Sequence, residues 1–588
     1  MDDDALAWID VAADAEITAE RPAVVRHGRQ QLAVMRDDSG CLRAFDNRCP
    51  HEGYPLVQGQ LRGCTLTCTW HNFKFDLRDG RCLKGDEPLT IHPVRVKDGR
   101  VQVDPRLPVD EGAVDRELAR LHEGLLERRL GQVARQTVRL LDLGVAPSRL
   151  AVEAARFDAA RAEWGCTHAV AVAADVVAEL PRYPGTSAAL PVMQALDMAS
   201  EPNVRQPIRA LAEPVDPGDD PVAAGRRLRA LVEQEHGEAA EALLRGGLAR
   251  GWGRAELEPW LFGPCCDHFL SFGHPLIYQT KVFDLLEATG WEHAEAILPG
   301  HLCGIVNGTR EDTLPRWKAF SRRLEAREEQ LPRWRAEVAA SGSAAEVPEA
   351  LREGWWRAWV QGDRDAAFDA VSEALDARHA PGAIADLVAA AAAERLLRFD
   401  RALHDDPTVQ EGWLDVTHTM TFAAAVHHAV RRYADPTGLR LLFYAARFVN
   451  NAQSLDRSPP PELPRPVGHS VGVEDIARAI EQHDHEAASS LTARYLDDHG
   501  PDEALRHAVF DLPLRDRYTR PIIVAHAIKT GRVAFELADR LRGTPWADRP
   551  ILAFVRFAAA SGRERSVEQL VHEAQRLVVE GKVPRTLT

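Results

Sequence analysis

Two short strings, Cys49-Pro50-His51 and Cys68-Thr69-Trp70-His71, constrain this chain more than any other feature. Each pairs a thiol with an imidazole, first as C-x-H and then as C-x-x-H, and sixteen residues separate the pairs. Gly53 and Pro55 suit a tight loop that brings backbone N–H groups towards whatever the thiols hold. Asp79-Gly80 and Asp98-Gly99 are hairpin-turn dipeptides. Around them run short alternating stretches, Gln31-Leu32-Ala33-Val34-Met35 and Arg100-Val101-Gln102-Val103, that read as strands. The expectation is a small all-β domain over residues 5–108 presenting two ligand-bearing loops. A structural zinc ion bound by Cys2His2 is one reading of the four ligands. Zinc fingers do not usually combine C-x-H with C-x-x-H across such a gap.

The same four residues resemble the Rieske domain. The resemblance implies a [2Fe–2S] cluster, with Cys49 and Cys68 on one iron and His51 and His71 on the other. High-potential respiratory members carry an extra cysteine beside each loop, and hydroxyls near the sulfurs. Here Glu52, Gly53 and Trp70 stand in that neighbourhood, and Asn72, Phe73 and Lys74 follow His71. The likeness is therefore to the ferredoxin and oxygenase type, with a potential towards about −150 mV rather than about +300 mV. The family's usual glycine after the last histidine is Asn72, which leaves the shape of the second loop open.

A chain of 588 residues exceeds one ordinary domain, and 45% apolar content supplies large cores. A formal charge of −16 disfavours nucleic acid and anionic membranes as partners. No apolar run approaches a membrane span, and Met1-Asp2-Asp3-Asp4 is no signal sequence. Nine cysteines without regular spacing outside the cluster strings form no disulfide framework. Together these point to the cytoplasm.

From Glu111 the period changes. Leu118, Leu121, Leu125, Leu126 and Leu130 recur at helical spacing, and an all-α domain is expected over residues 111–588. It reads as about four helical repeats, near 130–212, 222–340, 349–457 and 469–575. Thirty-seven residues after Gly131 and Gly237 stand His168 and His274, in Thr167-His168-Ala169-Val170 and Gly273-His274-Pro275-Leu276. The third repeat reaches Thr417-His418-Thr419-Met420, and in the fourth Arg520 replaces the histidine. The strings Gly273-His274-Pro275-Leu276-Ile277 and His418-Thr419-Met420-Thr421-Phe422 resemble questin oxidase-like proteins, which implies oxidative chemistry on a polycyclic substrate.

A Rieske cluster has no substrate site of its own. The D-x-x-H-x-x-x-x-H string of the best-known partner domain is absent, so the expected second centre is a metal held by inner-helix histidines. His274 and His418 are the candidate catalytic ligands. His168, His268, His301 and His526 join them as candidates, with Asp267, Asp284, Glu287 and Asp415 as carboxylates. Non-haem iron fits imidazole-rich ligation. His427-His428 and His483-x-His485 read as solvated surface, and Cys265-Cys266 as buried thiols. Tyr278, Tyr444 and Trp260 read as aromatic packing, with a substrate wall as the alternative. No G-x-G-x-x-G follows a strand, so electrons must come from an external ferredoxin or reductase.

The function expected is oxidation of a small organic substrate with O2. The alternative is a redox-responsive binding or electron-transfer protein without a catalytic metal. Prolines 105 and 108 stiffen the inter-domain connection, favouring a fixed docking of the cluster loops on the His274 and His418 helices. A homo-oligomer would let that docking occur between chains.

Overall fold

The computed structural model describes residues 8–106, 112–340, 347–404, 412–515, 521–560 and 567–582. Residues 5–7, Pro108 and Arg520, on which parts of the sequence reading fall, lie outside them. Two compact units emerge: Met1–Gly124 with Arg129–Val145 and Gln569–Thr588, and Leu125–Arg128 with Ala146–Glu568.

The first unit holds three antiparallel sheets. Strands β1 (Ile9–Ala13), β2 (Ala23–His27), β3 (Gln30–Arg36) and β4 (Leu42–Asp46) come first. The short β5 (Gln60–Arg62), β6 (Thr65–Thr67), β7 (Lys74–Asp76) and β8 (Cys82–Lys84) follow. β9 (Ile91–His92), β10 (Val94–Lys97) and β11 (Arg100–Val103) complete the set. Their orders are β1-β11-β10, β2-β3-β4-β9 and β5-β6-β7-β8. Strand β3 shows why this region folds. Its side chains alternate between two cores, Ala33 and Met35 facing one and Leu32 and Val34 the other. Both cluster cysteines belong to the first of these cores, beside Phe45, Leu66 and Phe75. Asp98 and Gly99 turn the β10–β11 hairpin with φ of 53° and 75°, the left-handed pair that such a tight turn demands.

The unit extends past residue 108. Helix α2 (Leu130–Asp142) carries Arg135 and Arg139, and both pair with Glu87, whose carboxylate is buried. Burial opposes the charge on Glu87, but Arg139 and Arg135 outweigh it and hold its carboxyl below the usual range. Far down the chain, Val579 accepts a hydrogen bond from Arg29 at 2.7 Å. Ion pairs thus bind α2 to the β-sheets and a hydrogen bond ties down the C-terminal segment, features that periodicity alone does not reveal.

Helices come in sets of five. The first set is α1 (Ala113–Leu126), α2, α3 (Pro147–Ala159), α4 (His168–Glu179) and α5 (Ala189–Ser200). The second is α6 (Pro221–Glu233), α7 (Gly237–Ala249), α8 (Arg254–Asp267), α9 (His274–Thr289) and α10 (Ala294–Val306). After α11 (Lys318–Glu325) and α12 (Leu331–Ala340) comes α13 (Glu349–Gln361), α14 (Arg364–Asp376), α15 (Pro381–Arg398), α16 (Trp413–Arg432) and α17 (Arg440–Asn451). The last set is α18 (Val473–Glu481), α19 (His485–His499), α20 (Glu503–Leu514), α21 (Pro521–Arg540) and α22 (Arg549–Ala560), followed by α23 (Val567–Val578).

The fourth helix of every set is the inner one. Helix α4 packs on α9 and α21, and α16 packs on the same two, so the four close a ring within the second unit. Most of their residues are buried, polar ones such as Gln279, Thr417 and Lys529 among them. Among the described residues no helix is long and apolar enough to cross a membrane.

Candidate metal centres

The loop between β4 and β5 carries Cys49 and His51, and the β6–β7 loop carries Cys68 and His71. The two loops have one backbone plan. The N–H of Cys49 donates to Tyr54 O at 2.8 Å and that of Gly53 to Cys49 O at 2.7 Å. Likewise Cys68 N–H donates to Phe73 O at 2.8 Å and Asn72 N–H to Cys68 O at 3.0 Å. Position four after each cysteine needs positive φ. Gly53 supplies 78° and Asn72 supplies 61°. Asparagine is among the few residues that enter this region readily, so Asn72 preserves the loop.

The ligand atoms converge. Nδ1 of His51 lies 3.2 Å from Nδ1 of His71. Both are free, buried thiols hydrogen-bonded to each other, which lowers Cys68 to about 6 and raises Cys49. Backbone N–H groups of His51 and Glu52 reach the Cys49 sulfur, and those of Trp70 and His71 reach the Cys68 sulfur. Two buried sulfurs, each reached by backbone N–H donors, and two adjacent imidazole nitrogens are the donor set that a mixed thiolate–imidazole cluster requires.

Packing fixes the imidazoles. Phe73 stacks on His51 at 4.6 Å, and Trp70 meets His71 edge-on at 5.4 Å. Phe73 is held in turn against Gly85, at φ 123°, where a Cβ would stand 2.2 Å from the ring. Burial and the positive charge of Arg135 hold His51 below the usual imidazole range, and Arg139 donates to Pro50 O at 3.2 Å. Helix α2 therefore acts on the first ligand loop both mechanically and electrostatically.

In the second unit, His168, His274, His418 and His526 come together, one from each inner helix. Ring centroids lie 4.3 Å apart for His274–His418, 4.4 Å for His418–His526, 4.9 Å for His168–His274 and 5.0 Å for His168–His526. Nε2 of His274 is 3.3 Å from Nε2 of His168. One nitrogen from each of His168, His274 and His418 falls within a 4.8 Å group.

Each histidine is placed by local chemistry. His168 begins α4, where Thr167 caps the helix by accepting from Ala169 N–H. The buried Asp158 locks that cap by accepting from both Thr167 N–H and its hydroxyl, each at 2.7 Å. Burial raises Asp158 to about 6. His274 begins α9 with Pro275 behind it, a favoured first-turn residue. Before it Ser271, Phe272 and Gly273 have φ of 41°, 56° and 90°. A Cβ on Gly273 would lie 2.3 Å from Phe422, so the turn requires glycine. In α16, Thr417, Thr419 and Thr421 turn their hydroxyls back onto helix carbonyls at 2.6–3.2 Å. They satisfy themselves and leave the imidazole of His418 over.

The hydrogen bonds also orient the lone pairs. His274 Nδ1–H donates to Ser271 O at 2.7 Å, which leaves Nε2 as an acceptor. Thr417 has already donated to Leu414 O, so His526 Nδ1–H donates to the Thr417 oxygen at 2.7 Å. Nε2 of His526 and both nitrogens of His418 are buried without a hydrogen-bond partner. Tyr278 places its hydroxyl 3.0 Å from Nδ1 of His168. Burial and the nearby Lys529 hold all four imidazoles below their usual range, His274 at about 3. Neutral imidazoles with inward lone pairs are the metal-binding form.

The other candidates lie elsewhere. His268 is not in the ring; it bridges Asp312 at 2.9 Å and Glu233 at 3.0 Å, and these carboxylates raise it despite burial. His301 is buried against Gln279 at 2.6 Å, a satisfied core histidine. Asp267 pairs with Arg229 and Arg440. Asp284 and Glu287 pair with Arg254, and Asp415 accepts from Gly412 N–H at the start of α16. His427 is not solvated surface; it is half-buried, 2.9 Å from Asp386. Cys265 and Cys266 are buried thiols. Trp260 packs with its N–H on Pro221 O.

Sequence reasoning missed Lys529. It is buried, its Nζ has no hydrogen-bond partner, and burial lowers it to about 7. The signal was its place three residues after His526, on the same helix face.

Acid should expose these burial effects. Burial holds His274 and His301 at about 3 in the folded chain, against about 6.5 when unfolded. Between those values the unfolded chain binds more protons, so stability falls as pH drops through the window. Each such histidine contributes up to about 1.4 kcal/mol per pH unit. Calorimetric melting of metal-stripped protein should give a midpoint that falls steadily from about pH 7 to about pH 5.

Residues 7–94 match the Rieske [2Fe-2S] domain. A 4beta-methylsterol monooxygenase of Methylococcus capsulatus is 36% identical over 98 residues, covering 17% of this chain and 26% of that protein. The anthranilate 1,2-dioxygenase ferredoxin subunit of Burkholderia cepacia is 30% identical over 99 residues, which cover 16% of this chain and 91% of the subunit. A solved complex of oxygenase and ferredoxin in carbazole 1,9a-dioxygenase aligns at 26% identity and a TM-score of 0.17, covering 18% of this chain and 98% of that one. Through its N-terminal β domain the chain belongs to the Rieske [2Fe-2S] family. Against the monooxygenase it spans about a quarter of the relative's length, all of it in that domain.

Proposed function

We propose that the protein is an oxidoreductase whose Rieske cluster supplies single electrons to a metal ion, best iron, that the inner histidines hold for O2-dependent oxidation of a small organic substrate. The observation that carries this reading is the set of four neighbouring imidazoles, three of their nitrogens buried without a partner and all four held below the usual range. Leaving such groups unsatisfied costs roughly 1–3 kcal/mol apiece, so a ligand for them is the economical explanation. A purely structural role would give each histidine its own bond, as His301 has.

Cys49, His51, Cys68 and His71 hold the cluster, and its ligand imidazoles accept electrons from an external ferredoxin or reductase. His168, His274, His418 and His526 hold the metal. Ser271 and Thr417 fix the tautomers of His274 and His526, so their Nε2 lone pairs face inward. Tyr278 orients His168 through its hydroxyl, 3.0 Å from Nδ1. Lys529 adds a buried amine that favours anionic species and keeps the imidazoles unprotonated. The apolar ring excludes water, which strengthens each of these electrostatic effects.

Electron flow tests the proposal. Protein reduced with dithionite under argon and then mixed with oxygenated buffer should recover its cluster absorbance about 10-fold faster than a His168→Ala, His418→Ala double variant, about 1.4 kcal/mol in barrier. Equal rates would overturn it and favour a redox-responsive binding protein.

A further inference from the structure

The inner helices stay polar beyond their histidines. On α4, Asp175 stands seven residues after His168, and on α9, Lys281 stands seven residues after His274, each on its histidine's own helix face. On α21, Lys529 follows His526 by three. Ion pairs join these helices: Lys281 pairs with Asp175, and Arg532 lies 3.3 Å from Asp175 and 2.8 Å from Glu536. Side-chain exposure rises along the series, from 1% at Asp175 through 15% at Lys281 and 23% at Arg532 to 39% at Glu536. The charged stripe thus leads from the interior to solvent.

Two atoms of it are left over. Oδ2 of Asp175 and Nζ of Lys529 are buried without a hydrogen-bond partner. Asp175 and Lys281 are the charges that act on Lys529, and Lys529 in turn acts on all four imidazoles. It therefore couples the ion pairs to the ring. Burial lowers its amine to about 7, where a group both takes up and releases a proton near neutrality. Burial also raises the Asp175 carboxyl, which eases its protonation. Tyr278, the other polar group against His168, is pushed well above the usual phenol range by burial and keeps its proton. Ion pairs that only joined helices would close on themselves, and apolar packing would join them at less cost.

We infer that this stripe is the proton route to the histidine ring: Lys529 hands protons to the reaction there, and Asp175 and Glu536 refill it from solvent. This rests on the proposed oxidation. Placing one oxygen atom of O2 in a C–H bond, with the other leaving as water, consumes two electrons and two protons. The cluster delivers the electrons. Each proton transfer turns the Lys529 ammonium into the amine, the Asp175 carboxyl returns the proton, and Glu536 reprotonates the carboxylate.

The test uses full-length, iron-loaded protein, reduced with dithionite and mixed with oxygenated buffer made in H2O or D2O. K529M removes the amine at nearly equal volume. It should slow cluster re-oxidation about 10-fold, to the rate of the His168→Ala, His418→Ala variant, since a lost proton donor costs at least that much. Its iron(II) affinity, read by titration under argon, should be unchanged. D175N should be slowed as well, and D2O should slow it by a larger factor than it slows the native protein, a change that a merely structural ion pair would not produce. K529M re-oxidising as fast as native while the histidine variant is slow overturns the relay alone. So does slowing explained by lost iron affinity, or a D2O effect in D175N equal to the native one. If D175N does not fold, K529M decides. A histidine variant as fast as native sinks the oxidation reading, and the relay with it.

Discussion

Replacing His418 with alanine will strip the metal from the helical unit while the cluster stays at full occupancy. The imidazole is one of the four in the ring, 4.3 Å from His274 and 4.4 Å from His526 by ring centroids, and no protein group satisfies either nitrogen. Loss of an outer-shell partner alone typically costs 10–100-fold in metal affinity; loss of a ligand should exceed about 100-fold. Titration with iron(II) under argon, followed by metal analysis, checks this. The paramagnetic signal of the reduced cluster should be unchanged, because its ligands lie in the β unit. Retained affinity would remove His418 from the ligand set.

Replacing His71 with cysteine will shift the cluster's potential by hundreds of millivolts. His71 is an exposed imidazole at the loop tip, so a smaller side chain is tolerated without disturbing the Phe75 and Leu66 core. A third thiolate adds negative charge to the cluster. Histidine ligation is what lifts Rieske centres from about −400 mV to about −150 mV or above, so the variant should move most of the way back. Redox titration with paramagnetic resonance reads both the shift and a rise in average g. An unchanged potential would mean that His71 is not a ligand.

The cluster loops were legible because their chemistry is local. Two cysteines and two histidines lie within twenty-three residues, and the turn geometry follows from Gly53 directly. Asn72 left that loop open, and φ of 61° resolves it without breaking the pattern. The helical site was legible only in outline. Repeat spacing found His168 and His274, which both begin helices, and His418. It could not choose among His268, His301 and His526, since all three interrupt apolar surroundings. The choice depends on partners distant in sequence: Asp312 and Glu233 for His268, Gln279 for His301, Thr417 for His526. The first two sets, with histidines at helix starts, differ from the last two, where His418 and His526 each sit inside a long inner helix. That shift is why aligning the fourth repeat on Arg520 passed over His526. The carboxylates expected at the metal are all committed to arginines or a helix start.

The most direct test of the central claim is diffraction from crystals of the iron-loaded protein measured on both sides of the iron absorption edge. The account predicts two separate anomalous features, one between Cys49, His51, Cys68 and His71, the other among His168, His274, His418 and His526. A single feature at the cluster, with His418 and His526 bonded only to protein groups, would contradict it.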